Sequence, residues 1–261
     1  MKNFTTIICA CLTFFILPIN LHGQTLLYDG NSDGCVGLSD LLGLLSEFGT
    51  CTFVCGDQVS HDGYDYTTVQ IGDQCWFSEN CRYLPSVSPS SASSNTTPYY
   101  YVRDYNGTDV ATALATSNYS TYGVLYNWPA IMEPGICPSG WHIPTDLEWQ
   151  TLEIALGMSP TEAVSSSTGG YRGTDQGDQM RATSGWTYNG FNTNSSGFTG
   201  LPGGYVFPGS FYFGLAYGYW WSSTSSGTTS SWHRKLYFGS HGVNRFTSDS
   251  SFGYSARCVM D

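Results

Sequence analysis

The stretch Cys137-Pro138-Ser139-Gly140-Trp141-His142-Ile143-Pro144-Thr145-Asp146-Leu147-Glu148-Trp149 decides the fold. Thr145 and Glu148 form a Thr-x-x-Glu capping box directly after Pro144, so an extended segment turns there into a helix whose first free N–H groups are met by the cap. Leu152, Ala155 and Leu156 give that helix an apolar side, and Gly157 stops it. Upstream, residues 123–132 carry Leu125, Trp128 and Met132 on one face and are expected to form a second helix around Pro129.

Farther out, residues 64–71, Gly72-Asp73 and Gln74-Cys75-Trp76-Phe77 read as strand, tight turn and strand. Residues 86–98 read as a surface loop rich in Ser, Pro and Thr, followed by a short strand over 99–102. Beyond the capped helix, residues 159–197 are polar and loop-dominated. Strand patterns return at 219–223, 232–238 and 254–259.

Charged residues make up 11% of the chain and aromatics 16%. Few helix formers and many turn formers point to a loop-rich α+β fold built on strands rather than to a helical bundle. The aromatics supply the buriable surface that disordered chains lack. The formal charge is −11, and Lys235 is the only lysine apart from Lys2. An acidic chain without a basic stripe argues against nucleic acid and anionic membranes as partners.

Residues 1–23 open with Lys2, run apolar from Ile7 to Pro18 and then reach Leu21-His22-Gly23, the order of a secretion signal. The apolar run is too short to span a bilayer, which takes about 20 residues. The mature chain is therefore expected to begin near Gln24, without a membrane span, and to be secreted or held at the cell surface.

Residues 24–50 contain Asp29-Gly30-Asn31-Ser32-Asp33-Gly34-Cys35-Val36-Gly37-Leu38-Ser39-Asp40. Oxygen donors at the first, third, fifth and twelfth positions, with glycine at the sixth, match an EF-hand calcium loop. A hard cation takes several oxygens, and the glycine lets the chain turn sharply around it. Asp29, Asn31, Asp33 and Asp40 are expected to offer side-chain oxygens and Cys35 a backbone carbonyl, with calcium as the cofactor. Leu38, Leu41, Leu42, Leu45 and Phe48 give the helix that follows an apolar face, and Gly49 ends it. The segment resembles a dockerin repeat, the cohesin-binding module of extracellular polysaccharide-degrading complexes. Dockerins pair two such repeats and one is present here, so the resemblance implies calcium binding and leaves a cohesin-type partner open. Residues 51–58 read as a linker to a main domain over 59–261.

In the main domain, six motifs follow one another: Gly72-Asp73-Gln74-Cys75-Trp76-Phe77-Ser78-Glu79-Asn80, Tyr122-Gly123-Val124-Leu125-Tyr126-Asn127-Trp128, the stretch from Cys137 to Trp149, Leu201-Pro202-Gly203-Gly204-Tyr205, Trp221-Ser222-Ser223-Thr224 and Arg257-Cys258-Val259. In that order they resemble the Fibrobacter succinogenes major paralogous domain, over residues 56–261. The resemblance implies a C-type-lectin-like α+β fold with two helices, a small curled antiparallel sheet and long loops. It implies no activity, and a fold does not fix a function. Where that pattern usually has leucine after Glu-Asn, this chain has Cys81.

Of the nine cysteines, Cys9 and Cys11 lie in the leader, and the rest of an exported chain is expected to form disulfides. Spacing does not give connectivity. The expected set is Cys137 with Cys258, Cys55 with Cys75 and Cys35 with Cys51, leaving Cys81 over.

Glu133-Pro134-Gly135 is the nearest match to the sugar-binding loop of calcium-dependent lectins, but it precedes the capped helix, so calcium-mediated sugar binding is not expected in the main domain. His61, His142, His233 and His241 are scattered, with no metal-binding helix, nucleophile elbow or phosphate loop around them. No catalysis is expected; a fold like that of the formylglycine-generating enzymes is the enzymatic alternative. Residues 217–254 mix aromatics with Ser, Gly, Thr and Asn, as loops that combine rigid anchors with adaptable hydrogen bonds do. The expected function is recognition of a glycan or extracellular protein through late loops. Tyr237, His241, Asn244, Arg245 and Phe246 are the expected exposed contacts. The alternative is a structural component of a surface or polysaccharide-degrading assembly, docked through the calcium segment.

Overall fold

The Thr145 hydroxyl accepts from the Glu148 N–H, and the Glu148 carboxylate accepts from the Thr145 N–H at 2.7 Å, so the capping box forms as written in the sequence. The computed structural model describes residues 36–47, 53–166 and 170–261, and the chain divides into two units after Phe53. The secretion-signal residues 1–23, the loop positions Asp29, Asn31, Asp33 and Cys35, and the pairing of Cys35 with Cys51 lie outside the described residues.

In the first unit, α1 (Leu38–Glu47) forms where the leucine spacing places it. The Gly37 N–H donates to Asp40 Oδ2 at 2.8 Å, which satisfies an N–H at the helix entrance and sets a negative charge in the first turn. Asp40 is buried, whereas Leu38, Leu41 and Leu42 are exposed.

The second unit is mixed α+β. Its described helices are α2 (Val110–Leu114), α3 (Ser117–Tyr122), α4 (Trp128–Ile131), α5 (Asp146–Ala155), α6 (Pro160–Ala163) and α7 (Gln176–Met180). Strands β1 (Val59–His61) and β2 (Tyr64–Tyr66) form one hairpin. A four-stranded sheet joins β3 (Thr68–Ile71) to β4 (Gln74–Phe77), then to the last strand of the chain, then to β7 (Trp141–His142). Gly72, at φ 61°, makes the β3–β4 turn, where a side chain would be strained. Two further pairs are β5 (Tyr100–Tyr101) with β6 (Leu125–Tyr126), and β8 (Tyr205–Phe207) with β9 (Ser210–Tyr212). A three-stranded antiparallel sheet joins β10 (Tyr217–Ser225), β11 (Ser230–Tyr237) and β12 (Asn244–Asp249), and β13 (Val259–Met260) is the last strand.

The two-helix expectation is corrected. Residues 123–132 split into β6 and the four-residue α4, because Asn127 caps a new helix directly before Trp128-Pro129. Proline is tolerated in the first turn of a helix and not in its interior. The Asn127 side chain also accepts from the Tyr99 N–H and donates to the carbonyls of Ser94 and Thr97. The strand expected over 64–71 breaks at Thr67, and the one expected over 254–259 shrinks to β13, with Tyr254 and Ser255 making single bridges to Tyr126 and Trp220. The polar stretch 159–197 contains α6 and α7.

Trp220 and Trp221 point to opposite faces of the β10–β12 sheet, so each anchors a different core. Trp220 joins Trp76, Trp149, Phe198 and Leu236, and Trp221 joins Phe77, Tyr126 and Tyr254. Beneath the sheet, α5 offers two buried carboxylates to three buried guanidinium groups. Arg234 donates to Asp146 at 2.7 Å and to Glu153 at 2.5 Å, Arg245 donates to Asp146 at 2.7 Å, and Arg172 donates to both oxygens of Glu153 at 2.9 Å. Burial acts to raise the Asp146 carboxyl, but Arg245 and Arg234 outweigh it and hold the group below the usual carboxylate range.

The structure joins Cys55 to Cys75 and Cys137 to Cys258, the pairs expected for this domain. Among the described residues Cys81 is the free cysteine, fully buried with its sulfur 3.5 Å from Cys258 Sγ. Burial pushes its thiol up to about 12 against the pull of Arg257. The thiolate is the species that reacts. Cys81 is therefore expected to escape iodoacetamide at pH 8 in the native protein and to be alkylated in denaturant. Peptide mass mapping reads both states, and native labelling would contradict this packing.

Candidate functional site

Side chains alternate along a strand, and residues opposite one another in an antiparallel pair share a face. Across β10, β11 and β12 the register sets Tyr219 opposite Lys235, Lys235 opposite Asn244, His233 opposite Phe246 and Ser231 opposite Ser248. One face therefore collects Tyr219, His233, Lys235, Asn244, Phe246 and Ser248. The other presents Trp220, Arg234, Leu236 and Arg245, of which Arg234 and Arg245 bond to Asp146 on α5.

The first face floors an open cleft of about 240 Å³, whose walls are Tyr205, Phe252 and Tyr254. Tyr219 stacks on Tyr254 with centroids 4.8 Å apart and meets the edge of Tyr205 at 5.2 Å. Lys235 Nζ lies 5.2 Å from the centroid of Tyr171 and 5.7 Å from that of Tyr217, ring faces that favour a cation. None of the residues lining the cleft is an aspartate or glutamate.

Two polar atoms of this floor are unsatisfied. Asn244 and His233 are 2% and 3% exposed. Asn244 Nδ2 donates to the Gly170 carbonyl at 2.5 Å, yet Asn244 Oδ1 and His233 Nδ1 have no hydrogen-bond partner among the described residues. Buried polar atoms in proteins are almost always paired, and one left bare costs about 1–3 kcal/mol. Burial, and after it Lys235 and Arg234, push the His233 imidazole down to about 3, so it is neutral at ordinary pH. Burial also lowers Lys235. The cleft thus brings together aromatic walls, two unsatisfied polar atoms and a lysine.

Of the five expected contacts, Asn244 and Phe246 line this cleft, Asn244 buried and Phe246 42% exposed. Tyr237 lies on the same strand beyond Lys235, its ring stacked 4.6 Å from Tyr217. His241 is elsewhere, in the turn after β11, bonded through Nδ1 to Asp178 at 2.6 Å. The expectation that Asn244 and Arg245 are exposed turn residues is corrected, because both are buried on β12. Arg245 faces away from the cleft, packs 3.7 Å over the Trp232 ring and is bonded to Asp146. Tyr205, Tyr219, His233, Lys235, Ser248, Phe252 and Tyr254 went unselected in the sequence. The alternation of His233 with Lys235 in a segment already read as a strand was the available signal.

A larger cleft, about 420 Å³, lies among residues 131–143 together with Ser223. His142 there is engaged by Asp261 at 2.6 Å and Glu148 at 2.7 Å. Partial burial acts to lower that imidazole, and the two carboxylates outweigh it and raise it. None of the unsatisfied buried atoms of the described residues belongs to this cleft, so the smaller one over β10–β12 is the better candidate.

Compared with known families, the chain matches the model of the Fibrobacter succinogenes major domain over residues 69–260, a span that contains every residue of the cleft. No curated protein and no solved structure matches it.

Proposed function

We propose that this chain, which belongs to the Fibrobacter succinogenes major domain family, is a non-catalytic recognition module that holds a glycan in the cleft over His233 and Asn244. The observation that carries this reading is the pair of buried, unpartnered atoms, Asn244 Oδ1 and His233 Nδ1, in an aromatic-walled depression. A ligand hydroxyl offers the missing partner, while its ring covers the tyrosines. The low-lying His233 supports a binding role over an acid–base one. Small antiparallel sheets joined by long loops support the C-type-lectin-like reading. Disulfides support an oxidising, extracellular setting. Among the described residues no helix is long and apolar enough to cross a membrane.

A panel of glycans and cell-wall polysaccharides tests this with the mature protein. Asn244→Ala is expected to weaken binding by about tenfold or more, the worth of one hydrogen bond at a desolvated site. Phe246→Ala should weaken it as well, without lowering the melting temperature, since that ring is half-exposed. Wild-type affinity in both variants would remove the cleft from consideration, and a protein ligand that displaces no glycan would favour the structural-component alternative.

For the amino-terminal segment we propose calcium binding, with Asp29, Asn31, Asp33 and Asp40 as oxygen donors and a backbone carbonyl at Cys35. A metal that binds only the native state adds to its stability. A fragment spanning residues 24–55 is expected to melt at lower temperature in chelator than in calcium, and Cys35→Ala should leave that difference intact. Identical melting curves would count against calcium. A cohesin-type partner stays a proposal that follows only if calcium binds.

A further inference from the structure

We propose that the cleft selects saccharides that carry a carboxylate, and that Lys235 reads that group. The inference rests on the recognition reading above and goes beyond it by naming the ligand class.

The first support is the isolation of Lys235. Among the described residues, Arg82, Arg103, Arg172, Arg181, Arg234 and Arg245 each have a carboxylate within ion-pair distance. Arg257 is instead saturated by the backbone carbonyls of Phe77, Phe198 and Thr199. Lys235 has neither: its ammonium is held only against the Tyr171 and Tyr217 ring faces. In a chain with 20 acidic residues and a net charge of −11, a lysine without a carboxylate partner, lining a cleft that no acid lines, is poised for an anion from outside.

Chemistry narrows that anion. An aromatic-walled cleft by itself suits an organic cation, but the charge of Lys235, a lining residue, repels one. Lys235 can only donate, and Asn244 Oδ1 can only accept. The two residues are directly opposite across the β11–β12 ladder, where side-chain bases stand about 4.5–5.5 Å apart. The ligand must therefore present an anion and a hydroxyl on neighbouring edges of one small unit, with a flat C–H face for Tyr219. A hexuronate ring does this: its carboxylate and its hydroxyls share a rim, and the ring face is apolar. The cleft is open and about the size of one such ring, so a polysaccharide can run across it. An acidic peptide has the carboxylate without the adjacent hydroxyls.

The test uses the full-length mature protein and calorimetry with three uronate polymers (polygalacturonate, alginate and a glucuronoxylan), their carboxyl-reduced neutral counterparts, and oligo-aspartate of matched charge. At least one uronate is expected to bind, with its reduced counterpart about tenfold weaker or worse, as for loss of one charge-assisted contact. Lys235→Met should remove that preference, so that acidic and neutral forms bind alike, and Lys235→Arg should keep part of it. Asn244→Ala should weaken acidic and neutral forms alike. Equal binding of acidic and neutral forms, unaffected by Lys235→Met but lost in Asn244→Ala, would overturn carboxylate selection and leave the glycan reading standing. Tighter binding of oligo-aspartate would overturn the saccharide class. If no polymer bound, or binding ignored both residues, this inference and the reading beneath it would fall together.

Discussion

Replacing Asp146 by alanine is expected to destabilise the domain by about 3–5 kcal/mol, because removing one partner of a buried ion pair strands the other charge. Here two guanidinium groups, Arg234 and Arg245, whose side chains are 0% and 9% exposed, each lose a carboxylate, and Arg234 keeps only Glu153. For a domain of this size the loss is a fall in melting temperature of about 6–20 °C. Asp146→Asn keeps the shape and removes only the charge, so most of the effect should persist in it. The sign of the pH dependence follows from the lowered native value. The carboxyl's contribution is present above its unfolded value of about 4 and is lost as pH falls through the lower native value. Thermal melts of wild type and Asp146→Asn should therefore converge as the pH is lowered into that range. A variant that melted with wild type at pH 7 would mean the network contributes nothing net.

The second large effect is expected at Trp221, also by about 3–5 kcal/mol on change to alanine. The residue is fully buried, its ring is 4.4 Å from Tyr254, and its Nε1–H donates to the Tyr126 carbonyl at 2.8 Å. Truncation opens a cavity behind the cleft and leaves that carbonyl bare. Trp141, in contrast, is only partly buried. Trp141→Ala should cost clearly less, and chemical denaturation of the two variants side by side checks the order. Similar midpoints for both would contradict the burial difference.

The parts of this fold written in local sequence were legible. Thr145 and Glu148 specify the start of α5 through a reciprocal pair of bonds three residues apart, and the Gly72 turn needs only its own backbone. The spacing of Leu125, Trp128 and Met132 fits one helix, and equally a strand followed by a new cap. Asn127 before Trp128-Pro129 was the signal that separates them. Arg245 was misplaced for a different reason. It follows Gly239, Ser240 and Gly242, and a cation after such residues reads as exposed; what buries it is Asp146, ninety-nine residues earlier. The cleft lies between these cases. The alternation of His233, Lys235 and Tyr237 can be read along one strand, but Tyr205, Phe252 and Tyr254 reach its walls through pairings across the chain, such as Val206 with Gly253 and Tyr126 with Tyr254. Such non-local pairings leave no local pattern.

The most direct measurement is a crystal structure of the mature protein soaked with the tightest-binding saccharide of the panel. A sugar ring is expected over Tyr219, with a hydroxyl within hydrogen-bond reach of Asn244 Oδ1, about 2.6–3.2 Å. A ligand bound instead among residues 131–143, with nothing over His233 and Asn244, would contradict the assignment of the cleft.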